Sequence, residues 1–484
     1  MPKMDEWIDE TIKEPLTDSA KQLYDQLNGK TEDLKTLVND NPKKALSIMS
    51  IPAFLSLFCL SLNGLVDIIF VSECGEGSLI GVGIIQSIFT IMVGFGAGLS
   101  VATNSSLSYA ISKYVSKKKV CKIVNNSIIL TLIIGVMLSI LLILILKPLL
   151  MALHIHEFAL DDAFTYGYVL FAGNVFFFFS SVIPAILKAE GEIIKTTYAL
   201  TSTSILNIIL DYIFIKVLGY GVFGAAIATV TCSAICGCIL LYFIIKSKNI
   251  PFSFKSASVD FDFEIMKKII SDALPVSFES IVLSLFAFLA NMIFNLLDSP
   301  INWAGFIASY RIYTFAIMPI IAIAEANVTI TAYLYGQKNF DDIKNLLKYE
   351  LKIGCLISII LWVIIFVLKD FIAGLFVTDG NMMEMEAIKY ALPILNVLLI
   401  IIPLGLMSVS ILQGLQEYKK SFILSTLRSV ILEILFGFIG VLIFEDVFMI
   451  YLGIIFGGLL GCLISLYMSR KVINNKIKEV ANVN

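Results

Sequence analysis

Of 484 residues only 15% are charged and 58% are apolar, with 35 Phe among them, and the mean hydropathy is +0.90. Soluble chains run near ~25% charged and ~45–50% apolar, so this composition excludes a soluble enzyme, a disordered chain and a fibrous protein. A net charge of −3 with no strongly basic stretch argues against a nucleic-acid binder.

Residues 1–44 form a polar tail that holds 10 acidic and 7 basic residues. Within it, Asp18 to Gly29 reads either as a short amphipathic helix, with Ala20, Leu23, Tyr24 and Leu27 on one face, or as a disordered acidic segment. No basic segment leads into an apolar core, so no cleaved signal peptide is expected. A bilayer core ~30 Å thick needs about 20 apolar residues in a helix. Runs of that length follow at 46–71, 79–110, 122–147, 162–187, 196–217, 221–246, 273–297, 303–334, 346–369, 387–410, 421–443 and 447–469. They are too long for strands and do not alternate. In lipid a helix satisfies its own backbone hydrogen bonds, so the expected fold is all-α and polytopic, with twelve transmembrane helices.

With the N-terminus inside, the cytoplasmic segments from Lys43 onward collect 24 Lys and Arg and the opposite side four, Lys147, Lys216, Lys369 and Lys389. This is a strong positive-inside bias, and it puts both termini in the cytoplasm. The expected location is the cell membrane.

The halves repeat at a nearly constant offset. Pro52 and Pro275 open spans one and seven, Tyr109 and Tyr333 end spans two and eight, and Ile186-Leu187 matches Ile411-Leu412. With six spans per repeat the halves share one orientation. The expectation is two six-helix lobes related by a pseudo-two-fold axis along the membrane normal, with a substrate path between them. The expected divisions are a tail to residue 44, a first lobe at 45–246, a cytoplasmic linker at 247–272, a second lobe at 273–470 and a C-terminal tail at 471–484.

Ionisable groups inside spans are costly and are functional candidates by default. The spans offer Asp67, Asp211, Glu279, Arg311, Glu325, Arg428 and Glu433. At 1.5 Å per residue, Asp67 lies ~6 Å and Asp211 ~9 Å from the outer side, with Thr229 and Tyr166 at comparable depth. Asn207 is one helical turn below Asp211, on the same face. Two carboxylates, an amide oxygen and two hydroxyls suit a proton or a hard cation such as Na⁺, since a carboxyl removed from water favours its neutral form. The structural alternative is that each Asp caps or bridges helices. By the repeat offset, Ala290 and Phe436 are the second-lobe positions that match Asp67 and Asp211, so the carboxylate pair is not duplicated. Glu279 and Glu325, on adjacent spans, read as a second polar site or as a structural bridge. Arg311 reads as a pairing group or an attractor of anionic substrate.

The remaining features read as structural. The eight Cys lie mostly in apolar runs and complete no zinc pattern. His154 and His156, the only histidines, fit a solvated loop. Phe176 to Phe179 point all round their helix and fit packing. Pro184, Pro319, Pro393 and Pro403 predict kinks in spans four, eight and ten. Gly94, Gly96 and Gly98 predict close helix packing.

Four segments then carry a resemblance: residues 51–75 (IPAFLSLFCLSLNGLVDIIFVSECG), 186–200 (ILKAEGEIIKTTYAL), 206–215 (LNIILDYIFI) and 424–428 (LSTLR). Together with the spans and the repeat they resemble the multidrug and toxic compound extrusion (MATE) family, over about 43–470. The Asn-x-x-x-Asp of span five is most similar to its prokaryotic DinF-like branch. The resemblance implies a cation-coupled antiporter that expels cationic or amphipathic organic compounds by alternating access. It implies coupling at Asp67 and Asp211, with Asn207, Thr229 and Tyr166 around them. Na⁺, if it is the ion, would sit at Asp67, Asn207, Asp211 and Thr229. Ser112 and Gln416 stand where the family usually or often has Gly. Glu279 is a weak match to an acidic residue that another branch uses in span seven.

The expected partners are small organic molecules and the bilayer, with neither nucleic acid nor nucleotide, no cofactor beyond H⁺ or Na⁺, and a monomeric state. No Gly-x-x-x-x-Gly-Lys-Ser/Thr loop is present. The competing reading is a lipid-linked oligosaccharide or precursor flippase of the same superfamily, which calls for several Arg in a central cavity. A membrane-embedded enzyme needs a catalytic constellation at one interface, and both histidines sit in one loop without such partners.

Overall fold

The structure, a computed structural model, describes residues 34–113, 116–152, 157–246, 261–296, 300–377 and 381–481. The tail helix expected at 18–29, the histidines of loop 153–156 and most of the expected linker lie outside the described residues.

The apolar runs are helices throughout. After the short α1 (Leu34–Asp40) come α2 (Pro42–Ser72), α3 (Glu76–Ser112), α4 (Lys117–Ala152), α5 (Glu157–Ala172), α6 (Asn174–Glu190), α7 (Ile193–Asp211) with a π turn (Tyr212–Val217), and α8 (Gly221–Lys246). The second half holds α9 (Phe263–Asn295), α10 (Pro300–Ala316), α11 (Met318–Gly336), α12 (Phe340–Val367), α13 (Lys369–Phe376), α14 (Met382–Leu395), α15 (Leu398–Gly414), α16 (Tyr418–Thr426) with a π turn (Leu427–Leu432), α17 (Glu433–Phe444) and α18 (Val447–Ala481). Among the described residues nine helices are singly long and apolar enough to cross a membrane, and two bent pairs bring the number to eleven. With the 33-residue α9, each of the twelve expected runs has a helical counterpart. The protein is an all-α, multi-pass membrane protein.

Short polar side chains cap several of the helix starts. Asn41 Oδ1 accepts from the Lys43 and Lys44 amides at 3.0 and 3.3 Å, and Asp446 Oδ1 accepts from Phe448 at 2.7 Å. Such caps satisfy amides that the first turn leaves open. The repeat recurs in the bends. α5 and α6 form one span bent by 47°, and α14 and α15 one bent by 42°. The bends fall at Gly173 and at Asn396–Val397, not at Pro184, Pro393 or Pro403. Only Pro319, second residue of α11, directly follows a break, at Ile317.

Packing divides the body into two compact units, Leu55–Ser280 and Leu37–Phe54 together with the residues from Ile281 on. These limits differ from the expected boundaries at 44/45 and 272/273, because α2 and α9 run unbroken through them. Hydropathy marks where a chain enters lipid, whereas side-chain packing decides which unit a turn of helix joins. Residues 263–272, expected in the linker, are the first turns of α9. Met266, Ile269 and Ala273 bury against Leu99, Leu130 and Phe178 in the first unit. A Cβ on Gly98 would lie 2.6 Å from the Ala273 carbonyl oxygen, so α3 and α9 approach as closely as glycine allows. The core of the second unit gathers around Phe294, stacked on Phe306 at 4.6 Å and beside Tyr451 at 5.4 Å.

Candidate functional site

The first unit contains a cavity of about 220 Å³ between α2, α3, α6, α7 and α8. Its apolar wall includes Phe89, Met92 and Phe177, the two rings edge-to-face at 4.6 Å. Its polar wall is made by Asn63, Asn174, Asn207 and Thr229, and none of its lining residues is charged. Drug-sized sites measure ~300–1,000 Å³, so this space has room for an ion or for part of an organic guest.

Behind the polar wall lie the carboxylates. Asn63 Nδ2 donates to Asn207 Oδ1 at 2.6 Å, and Asn207 Nδ2 donates to Asp211 Oδ1 at 3.4 Å. Asp211 is wholly buried. Asp67 is half-buried, one turn above Asn63 on α2. The charges of Asp67 and Asp211 act on one another and on Tyr166, whose ring is buried among Val71, Ile85 and Phe171. An ion pair between Glu73 and Lys216 and the contact of Phe70 with Tyr212 at 6.4 Å join the two helices beyond Asp67 and Asp211. Directly after Asp211 the helix widens into its π turn, with the Leu218 amide bonded to Ile213 O at 2.9 Å. π turns are rare and concentrate at functional sites.

The five residues singled out in the sequence thus fall in one unit, in different positions. Asn207 and Thr229 line the cavity; Asp67, Asp211 and Tyr166 are not among its lining residues. The Thr229 hydroxyl donates to Ala225 O at 3.0 Å within its own helix. Buried oxygens without a hydrogen-bond partner remain on Asp67 (Oδ1), Asp211 (Oδ2) and Asn63 (Oδ1). Oxygens of this kind suit a hard cation, and the residues present therefore fit Na⁺ as well as a proton. Among the described residues no three His, Cys, Asp or Glu converge in a transition-metal arrangement.

Asn63 and Asn174 were missed in the sequence because an amide carries no charge. Asn63 had a signal, since Asn63-x-x-x-Asp67 repeats the spacing of Asn207-x-x-x-Asp211. Asn174 starts α6 just after the Gly173 bend, fully buried, with both amide atoms unpartnered.

The second-half candidates scatter. Glu279 is buried and belongs to the first unit, whereas Glu325 is half-buried in the second. Arg311 is exposed on α10. Arg428 and Glu433 are both buried and act on each other electrostatically. Glu350 was not singled out, yet it is completely buried, with neither carboxylate oxygen hydrogen-bonded. Hydropathy started that span at 346. The helix starts at Phe340, which puts Glu350 ten residues in, ~15 Å along.

The sequence profile of the MatE family matches residues 52–213 and 275–439, one stretch in each half. The chain belongs to the MatE family. A probable multidrug resistance protein NorM of Thermotoga maritima is 24% identical over 71% of this chain and 74% of its own length. The multidrug export protein MepA of Staphylococcus aureus is 22% identical over 82% of this chain and 89% of its own. Among solved structures, an outward-facing multidrug resistance MATE transporter superposes with a TM-score of 0.87 at 28% identity, over 92% of this chain and 99% of that one. A MOP-superfamily transporter from Pyrococcus furiosus gives 0.86 at 28%, with the same coverage. The MatE match covers both halves, as the internal repeat requires.

Proposed function

We propose that this MatE protein is a cation-coupled antiporter that expels small cationic or amphipathic organic compounds across the cell membrane, with both termini in the cytoplasm. One observation carries the reading: the bonded chain Asn63–Asn207–Asp211 connects a buried carboxylate to the wall of an aromatic-lined cavity. A cation arriving from outside neutralises Asp67 and Asp211. Asp211 then loses its hold on the Asn207 amide, the Asn63–Asn207 pair at the wall rearranges, and the cavity releases its guest outward. Release of the cation to the cytoplasm restores the pair and the affinity for a new guest. The cavity lining contains no Lys or Arg, which favours a neutral or cationic guest over an anionic lipid headgroup.

The test is dye export in proteoliposomes under separate H⁺ and Na⁺ gradients. One charge moving down 100 mV supplies ~2.3 kcal/mol, enough for a concentration ratio of about fifty. Asp67→Asn and Asp211→Asn are each expected to bring that ratio to about one. Wild-type accumulation in both variants would remove the assignment.

A further inference from the structure

A second cavity, of about 270 Å³, opens in the second unit between the start of α12 and the far end of α18. Its lining is Lys344, Leu347, Lys348, Arg470, Ile473 and Asn474. Lys344 and Lys348 are one turn apart on α12, as are Arg470 and Asn474 on α18, so each helix turns one face to the space. Leu347 and Ile473 are buried beside them. Three cations and an amide donor therefore share a cavity that has no acidic residue in its wall.

Several lysines at other helix ends have acidic partners. Lys476, further along α18, bonds Glu417 at 3.1 Å, and Glu417 holds Lys420 at 3.0 Å. Lys122 bonds Asp262 at 2.9 Å and Lys389 bonds Asp370 at 3.2 Å. Among the described residues no ion pair engages Lys344, Lys348 or Arg470. Lys348 and Arg470 are exposed and Lys344 is half-buried, so water screens part of their mutual repulsion and an anion placed among them relieves the rest.

The position in the membrane indicates the anion. Arg470 lies 23 residues beyond the start of α18, ~35 Å along, past the ~30 Å hydrocarbon core. Lys344 lies four residues into α12, ~6 Å from its start. Both belong to the side where Lys and Arg concentrate. Arg and Lys together recognise phosphate, Arg by its planar fork and Lys as a point charge. Basic pockets between transmembrane helices on the cytoplasmic side take anionic headgroups.

We infer that this cavity is a binding site for a phosphate-bearing anion at the inner membrane interface, separate from the cavity of the first unit. A phospholipid headgroup and a free phosphate share the required chemistry. The inference uses the proposed orientation but not the antiport, so binding by detergent-purified protein tests it independently of export.

The experiment measures binding by native mass spectrometry and thermal protection for the full chain, with phosphatidylglycerol, phosphatidylcholine and inorganic phosphate as three separate probes. Phosphatidylglycerol is expected to bind and protect more than phosphatidylcholine, and salt to weaken that preference. Equal protection by inorganic phosphate would identify the source as a soluble anion at the same site. Each of Lys344→Gln, Lys348→Gln and Arg470→Gln is expected to lower the affinity about fivefold, and the triple variant to lose the preference. Lys471→Gln, next in the chain and outside the lining, is expected to keep it. If the triple variant does not fold, the three single variants decide. Unchanged affinity in all three, an equal loss in Lys471→Gln, or no preference in the wild type for either phosphate probe overturns the inference.

Discussion

Spans five and eleven hold equivalent places in the two halves, and they treat buried charge in opposite ways. In span five Asp211 has the Asn207 amide on one oxygen, no hydrogen-bond partner on the other, and the like charge of Asp67 nearby. In span eleven Arg428 sits inside the π turn and Glu433 opens the next helix, so a cation and an anion are buried together. Arg428 is also clamped by glycines: a Cβ on Gly405 would lie 2.6 Å from its Cδ, and one on Gly461 2.5 Å from its Cα. Glu433 Oε1 lies 3.2 Å from the Cβ position of Gly458. A carboxylate with an internal counter-charge is part of the scaffold. One that has an amide for its hydrogen-bond partner and a second carboxylate, rather than a cation, beside it has room for a mobile cation, and on the proposed function that contrast separates a coupling site from a structural one.

The largest expected effect breaks the contrast at the scaffold. Arg428→Met leaves Glu433 buried without its compensating charge and is expected to cost about 3 kcal/mol or more, seen as a large fall in thermal stability in mild detergent. Adding Glu433→Gln in that background is expected to recover part of the loss. If Arg428→Met left stability intact while abolishing export, Arg428 would belong to the transport site and the distinction would fail.

A smaller effect sharpens the comparison at a matched helix end. Gly191 and Gln416, 225 residues apart, both stand in the left-handed region, at φ 92° and 61°. Both ends close alike, with Glu192 N bonded to Leu187 O at 2.9 Å and Glu417 N to Leu412 O at 2.8 Å. Glycine adopts this conformation freely and other residues at a cost of roughly 1 kcal/mol. Gln416→Gly is therefore expected to raise, and Gly191→Ala to lower, unfolding stability by about 1 kcal/mol each. Equal and opposite shifts in melting temperature would confirm that the two ends are the same device.

The spans were legible in the sequence because lipid leaves a long apolar segment few options but a helix. The repeat was legible because its offset of 223 to 225 residues persisted, and it returns as the paired bends and the matched helix ends. What escaped had weaker chemistry to announce it. Asn63 and Asn174 carry no charge, so a search for ionisable groups passed over them. Glu350 fell inside the expected run but only four residues from its start, and so read as an end residue, because the helix begins six residues earlier. The bends were assigned to proline, yet two of the three breaks lie where glycine or asparagine stands. Gly173 marks one of them because a Cβ there would meet Val230 at 2.4 Å. The π turns leave no composition signal, since a bond to the fifth residue back uses the same side chains as a bond to the fourth.

The smallest effect concerns acid sensitivity at the helix ends away from the cavity. Asp262 precedes α9. Its Oδ1 accepts from the Glu264 and Ile265 amides at 3.1 Å each, its Oδ2 pairs with Lys122, and its own amide bonds Asn126 Oδ1 at 2.9 Å. The Lys122 bond, then the Ile265 amide, hold its carboxyl below the ordinary range. In the second unit partial burial raises Glu417, but its bonds with Lys420 and Lys476 outweigh this and lower it. A carboxyl depressed in the folded state contributes stability that is complete above its ordinary range and disappears as pH falls through the folded value. Mild acidification is therefore expected to leave both anchors intact, and stronger acid to loosen each. Asp262→Asn keeps an oxygen for the cap but loses the charge that holds Lys122. Hydrogen exchange in the first turn of α9 should then be modestly faster at neutral pH and lose its acid dependence, while exchange at the start of α16 keeps its own. An unchanged acid response in the first turn of α9 would mean that Asn126 and the apolar contacts of Met266 and Ile269, rather than the Lys122–Asp262 pair, hold that end of the helix.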